Sequence, residues 1–180
     1  VESITFECGR TNKNIAKIKD SFDKKTSKII AEAKKKDTDY ERLKYIYDAI
    51  QSSTAYESNA EHSKNCNVEL YSHAKADSGL VHKKANCTGY SMMFCYLAQS
   101  LGYDCICING DTTVGDHMWN AIKIDGKWYL VELTWDDVYG DQKGKLQYDY
   151  FLLSEKNMNK DHSFYDKYNL PEFSKTDYAA

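Results

Sequence analysis

The 180-residue sequence predicts an α+β fold in which helices come first and a central helix then packs on a mainly antiparallel sheet of about four strands. Three observations predict it. Apolar residues recur at three- and four-residue steps between positions 14 and 50, and again after Asn86. Beyond Gly102 the apolar period changes to two, as strands require. Finally, Asp125-Gly126 sits between two alternating runs, the strongest short-range signal of a hairpin.

Taken in order, residues 14–36 place Ile15, Ile18, Phe22, Ile29 and Ala33 in one stripe amid lysines, which predicts an amphipathic helix. Asp37-Thr38-Asp39 ends it and offers an N-cap for a second helix, in which Leu43, Ile46, Tyr47 and Ile50 repeat the spacing. Residues 51–85 are polar and without sustained period, so they read as loop with at most one short helix. From Cys87 to Leu101, Tyr90, Met93, Phe94, Leu97, Ala98 and Leu101 line one face, and Gly102 takes the C-cap position. Segments near 103–109, 117–124, 127–135 and 149–153 are rich in Ile, Val, Tyr, Trp and Leu and supply the four strands. The tail aromatics Phe164, Tyr165, Tyr168 and Phe173, around the one proline Pro171, are expected to lie over the domain. The length suits a single domain over 1–180, with a helical N-terminal part at about 12–51 and a core at about 80–155.

Composition narrows the classes of function. The 24 basic and 27 acidic residues leave a net charge of -3 and are scattered, so no basic stripe tracks phosphates and nucleic acid is not an expected partner. No apolar run approaches the roughly 20 residues that span a bilayer, so membrane insertion is not expected. The chain starts at Val1 and carries no secretory signal of its own. Removal of a preceding leader would put it outside the cell or on its surface, a location favoured over the cytoplasm; the oligomeric state is left open. Six cysteines, Cys8, Cys66, Cys87, Cys95, Cys105 and Cys107, are too unevenly spaced for a disulfide framework and read as free thiols. His62, Cys66, His73 and His82 match no closed zinc spacing, so neither a metal nor another cofactor is expected.

The chemistry points to a cysteine nucleophile. Asn86 is a good N-cap, which puts Cys87 at the first helical position, where free N–H groups and the positive end of the helix dipole favour a thiolate. Those N–H groups also suit an oxyanion. A lone cysteine near a helix is more often a small buried apolar residue, so the partners matter. A two-residue turn at Asp125-Gly126 sets Ile124 opposite Lys127, Trp119 opposite Glu132 and His117 opposite Thr134. His117, Trp119, Glu132 and Thr134 then share one face, with Glu132 a diagonal neighbour of His117. Nucleophile, base and orienting carboxylate are the three roles of a catalytic triad; alone, His117 and Glu132 would be an ordinary cross-strand pair. His62, His73, His82 and His162 read as solvated surface, and Trp119 and Trp135 as core packing.

The blocks Lys84-Ala85-Asn86-Cys87-Thr88-Gly89-Tyr90-Ser91, His117-Met118-Trp119-Asn120 and Trp128-Tyr129-Leu130-Val131-Glu132-Leu133-Thr134-Trp135-Asp136-Asp137 resemble the transglutaminase-like superfamily, over about residues 80 to 155. The resemblance implies a papain-like fold carrying a Cys-His-Asp triad. Cys87 and His117 fall on its first two positions and Glu132 on the Asp position, with Asp136 and Asp137 as neighbouring carboxylates. It also implies a peptide or protein substrate and thiol-dependent acyl transfer, most simply as a bacterial cysteine protease or amidase. A protein-crosslinking transglutaminase and a catalytically degenerate binding or scaffolding module are the alternatives.

Overall fold

The computed structural model describes residues 12–57, 75–138 and 145–179, with side chains from residue 15. Helix α1 (Asn12–Ala33) and helix α2 (Asp39–Ser53) open the domain as expected. Thr38 caps α2 in a full capping box: the Glu41 N–H donates to Thr38 Oγ1 at 3.2 Å, and the Thr38 N–H donates back to Glu41 Oε2 at 3.1 Å. Leu43, Ile46, Tyr47 and Ile50 are buried, as their spacing predicts. In α1 the stripe narrows toward the N-terminus, with Ala33 buried, Phe22 and Ile29 partly buried and Ile15 exposed.

The polar stretch expected as loop holds more structure than its period shows. β1 (Ala55–Tyr56) pairs in parallel with β2 (Lys84–Ala85), and Ser78–His82 forms one turn of π-helix between them. Strands of two residues carry no readable period. Residues 58–74, with His62, Cys66 and His73, lie outside the described residues, as does Cys8. Of His62, Cys66, His73 and His82, on which no zinc is expected, only His82 is among the described residues.

Helix α3 (Cys87–Ser100) is followed by Gly102 at φ +94, a left-handed stop that glycine takes without strain. The antiparallel sheet has the order β5-β4-β3-β6, from β3 (Cys105–Thr112), β4 (Gly115–Ile124), β5 (Lys127–Val131) and β6 (His162–Phe164). The β4–β5 turn is as predicted, with Asp125 at φ 50 and Gly126 at φ 80, and Ile124 pairs with Lys127.

Two strand expectations are corrected. The run 127–135 stops at Val131, because the Glu132 carboxylate takes the N–H groups of Thr134 and Trp135 and turns the chain into helix α4 (Leu133–Val138). The cross-strand pairings expected at Trp119 and His117 thus lie past the end of β5, and His117 pairs instead with Gly110 of β3. The run 149–153 makes a single bridge, Leu130 to Leu153, since Leu152 at φ 58 breaks its extension. The fourth strand is β6, too short and polar to be read as one.

One face of the sheet packs on α3 through Cys105, Ile122, Ile124 and Val131, together with α2. The other face buries Ile108, Trp119, Ala121 and Leu130 under Phe173 and Met158 of the short helix α5 (Glu155–Met158). The tail aromatics divide: Phe164 stacks on Phe173 at 5.3 Å, while Tyr165 and Tyr168 are exposed. No helix among the described residues is long and apolar enough to cross a membrane.

Gly110 is where β6 and the second face meet. A Cβ there would lie 2.0 Å from the Ser163 carbonyl oxygen and 2.3 Å from the Trp119 ring. Gly110→Ala is expected to lower stability by about 1–3 kcal/mol through overpacking, read as a fall in Tm of several degrees in a thermal melt.

Candidate active site

Local chain geometry brings the nucleophile into place. Asn86 is extended, and its side chain accepts the Gly89 N–H at 3.1 Å, so α3 starts at Cys87. One turn on, Ser91 Oγ donates to the Met118 carbonyl at 2.8 Å and Asn120 Nδ2 donates to the Ser91 carbonyl at 3.0 Å. These bonds stitch the first turns of α3 to β4 and set the partly buried Cys87 against His117 and Met118. Burial pushes the Cys87 thiol up, but hydrogen bonding to and charge on the His117 imidazole, the Met118 backbone N–H and the Thr88 hydroxyl together pull it below the ordinary thiol range.

His117 is buried, and its Nε2 lies 3.1 Å from Glu132 Oε1. That leaves Nδ1 for the thiol. Burial alone would lower the imidazole, yet hydrogen bonds and charge from Cys87 and Glu132 hold it up at about 9. The expected diagonal neighbours are in contact. Their contact does not come from a continued strand, however, but from the corner where β5 becomes α4. There Glu132 Oε1 also accepts the Thr134 N–H at 2.7 Å, and Oε2 accepts the Trp135 N–H at 2.6 Å.

The corner is braced from behind. The Tyr47 hydroxyl of α2 reaches both the Glu132 carbonyl oxygen, at 3.0 Å, and the Asp136 carboxyl group. Asp136 Oδ2 accepts the Tyr150 N–H at 3.1 Å, and the Glu132 N–H donates to the Tyr150 carbonyl at 3.0 Å. Burial, opposed by these donors, pushes Asp136 up to about 7. Asp136 is thus committed to Tyr47 and Tyr150, and Asp137 takes the Tyr90 hydroxyl. The carboxylate bonded to His117 is Glu132.

Two neighbours were missed by sequence reasoning. Tyr56, brought beside the site by the β1–β2 pair, has its phenol pushed up by burial and by the charges of Cys87 and Glu132, which keeps it protonated. His162, expected on the solvated surface, is buried at 3% exposure with its ring centre 5.8 Å from that of His117. Its Nδ1 lies 2.7 Å from Asp161 Oδ1, and Asp161 Oδ2 accepts the Tyr150 hydroxyl at 2.5 Å. Trp119 and Trp135 complete the walls at 6.4 and 6.0 Å from the His117 ring. The pairing of Thr112 with His162 puts this histidine there, and a three-residue strand gives no period to read. His82, by contrast, is exposed, as expected.

The arrangement sets a thiol drawn below its ordinary range beside an imidazole held up at about 9, with a carboxylate on the far ring nitrogen. Removing that carboxylate's charge should release the imidazole proton earlier. In Glu132→Gln the His117 titration, followed by NMR of the ring protons, is expected well below the value of about 9 held by the native site. An unchanged titration would show that Glu132 does not set it.

A sequence model described as the transglutaminase-like superfamily matches residues 26–133, more than half of the chain. Kyphoscoliosis peptidase of Homo sapiens is 29% identical over 129 residues, covering 65% of this chain and 18% of that protein. Its Mus musculus counterpart is 27% identical over 130 residues, covering 66% and 18%. The chain therefore corresponds to less than a fifth of the length of these relatives. A crystal structure described as that of a TGase superposes with a TM-score of 0.56 at 19% identity, covering 87% of this chain and 39% of that one, and so shares its fold. With the matched segment reaching from α1 to the corner at Glu132, the chain belongs to the transglutaminase-like superfamily, and its papain-like α+β fold is that family's.

Proposed function

We propose that the chain is a thiol-dependent acyl-transfer enzyme acting on peptide or glutamine-type amides, with Cys87 as nucleophile, His117 as acid and base, and Glu132 as the group that orients the imidazole. The observation that carries this reading is the buried 3.1 Å contact between His117 Nε2 and Glu132 Oε1, which leaves Nδ1 for a thiol held below its ordinary range. In the first half-reaction the Cys87 thiolate attacks the amide carbonyl carbon. The C–N bond breaks, His117 gives its Nδ1 proton to the leaving amine, and a thioester remains. In the second, water loses a proton to His117 and attacks the thioester, releasing the acid and the Cys87 thiol. The free N–H groups at the start of α3 suit the oxyanion of both steps.

Hydrolysis is the preferred outcome, in a cysteine protease or amidase. The description of both mammalian relatives as a peptidase supports it. A peptide or protein is accordingly the proposed substrate. Assays of fluorogenic peptides and of glutamine peptides, with and without a primary amine, test the proposal. Turnover by the native chain is expected, with Cys87→Ala and His117→Ala each losing about 10³-fold or more in kcat/KM. A native chain inactive on both panels would sink the reading, and amine incorporation outrunning hydrolysis would replace it with crosslinking.

Glu132→Asp separates a working site from a degenerate one. Shortening the carboxylate should pull it back from His117 by about 1 Å and cost on the order of 100-fold in kcat. A gain of activity in this variant would instead mark the native chain as a degenerate binding module.

A further inference from the structure

Among the described residues, one group of three side chains brings metal-ligand atoms within 4.8 Å of one another: His117, Glu132 and His162, all buried. The proposed reaction uses the first two and leaves His162 without a task. Its surroundings give it one. The 2.7 Å contact between Asp161 Oδ1 and His162 Nδ1 pairs an accepting carboxyl oxygen with a donating ring N–H, so Nδ1 carries the proton and Nε2 presents a bare lone pair. That Nε2 is buried and has no hydrogen-bond partner. Burying an unpaired polar atom is destabilising, and a phenylalanine in the same nest of Trp119, Trp135 and Tyr150 would avoid it. A histidine that donates its other ring N–H to a carboxylate is the usual arrangement of a metal-ligating imidazole. His117 Nε2 and Glu132 Oε1, 3.1 Å apart, are spaced close to the edge of a tetrahedron with bonds of about 2.0–2.1 Å.

We propose that His117 Nε2, Glu132 and His162 Nε2 form a binding site for a divalent transition-metal ion of the zinc class, and that its occupancy silences Cys87. Binding displaces the Nε2 proton of His117 to solvent and leaves Nδ1–H as the ring's last proton, which a metal-bound imidazole gives up far less readily than an imidazolium does, so His117 no longer passes protons for Cys87. A cleft of about 400 Å³ opens on Trp135, Tyr150 and Asp161, where Asp149, Asp161 and Asp177 outnumber Lys160 and suit the approach of a cation. The silencing rests on the role proposed for His117; the binding itself does not.

Calorimetric titration with zinc chloride and absorption spectra with cobalt(II), on the native chain and on three variants, test the proposal. The native chain and Cys87→Ser are expected to bind one ion equally, without a thiolate-to-cobalt charge-transfer band. His162→Phe should lose the ion while keeping its melting temperature, and His162→Gln serves if that variant fails to fold. Asp161→Asn should bind about 10- to 100-fold more weakly. Zinc should slow hydrolysis of a fluorogenic peptide by the native chain as the site fills, and leave the rate of His162→Phe unaffected by zinc. No binding by the native chain, unchanged binding in His162→Phe, or loss of binding together with the thiolate band in Cys87→Ser would each overturn the site. Sluggish iodoacetamide labelling of Cys87 in metal-free protein, with binding intact, would instead sink the proposed function and leave the site standing.

Discussion

The Glu132 carboxylate meets three demands at once, and the rest of the site depends on its meeting them. It must end β5, satisfy the first N–H groups of α4 and hold the His117 ring. Its two oxygens do so by accepting from Thr134, Trp135 and His117 at 2.6 to 3.1 Å while fully buried. A buried carboxylate is tolerable only where donors replace the water it has lost. Two of those donors are backbone, so the carboxylate cannot swing away from His117 without stranding the first turn of α4. A structural requirement thereby fixes the carboxylate of the proposed triad.

The corner geometry suits a glutamate at the position where the resembled pattern has an aspartate. Glu132 sits at the corner itself, after the last ladder pair of β5, Asn120 with Val131. From that position the longer side chain reaches back over its own helix start and across to β4. The same burial that weakens the imidazolium in isolation strengthens its attraction to the thiolate and the carboxylate, because little water screens them. The direction of both titrations, thiol down and imidazole up, shows that attraction outweighing desolvation.

Much of this was legible in the sequence, and for identifiable reasons. Cys87 was readable because a capping asparagine fixes where a helix begins. Asp125-Gly126 admits one register, which brought Glu132 near His117 on paper, but the contact itself is made at the corner beyond the ladder. What escaped had no local signature: the end of β5 is set by a side chain folding onto its own backbone, and the 149–153 run fails as a strand because of one left-handed residue, Leu152. His162 escaped for a different reason. Three residues pairing with β3 across some fifty positions of chain leave no period, and an Asp-His pair amid lysine and serine looks like surface. Tyr56 was hidden in the same way by a two-residue strand.

Tyr47 gives the N-terminal helices a meaning that their pattern alone did not. Its ring is core packing by spacing and by burial, but its hydroxyl ends on the carbonyl of Glu132 and the carboxyl of Asp136. A fragment trimmed to residues 80–155 would keep every residue of the proposed triad and forfeit the tyrosine behind it and the Asp161-His162 wall beside it. The proposed reactivity would belong to the whole scaffold rather than to the short sequence blocks that point to it, and substitutions in α2, remote in sequence from Cys87, act one hydrogen bond away from Glu132.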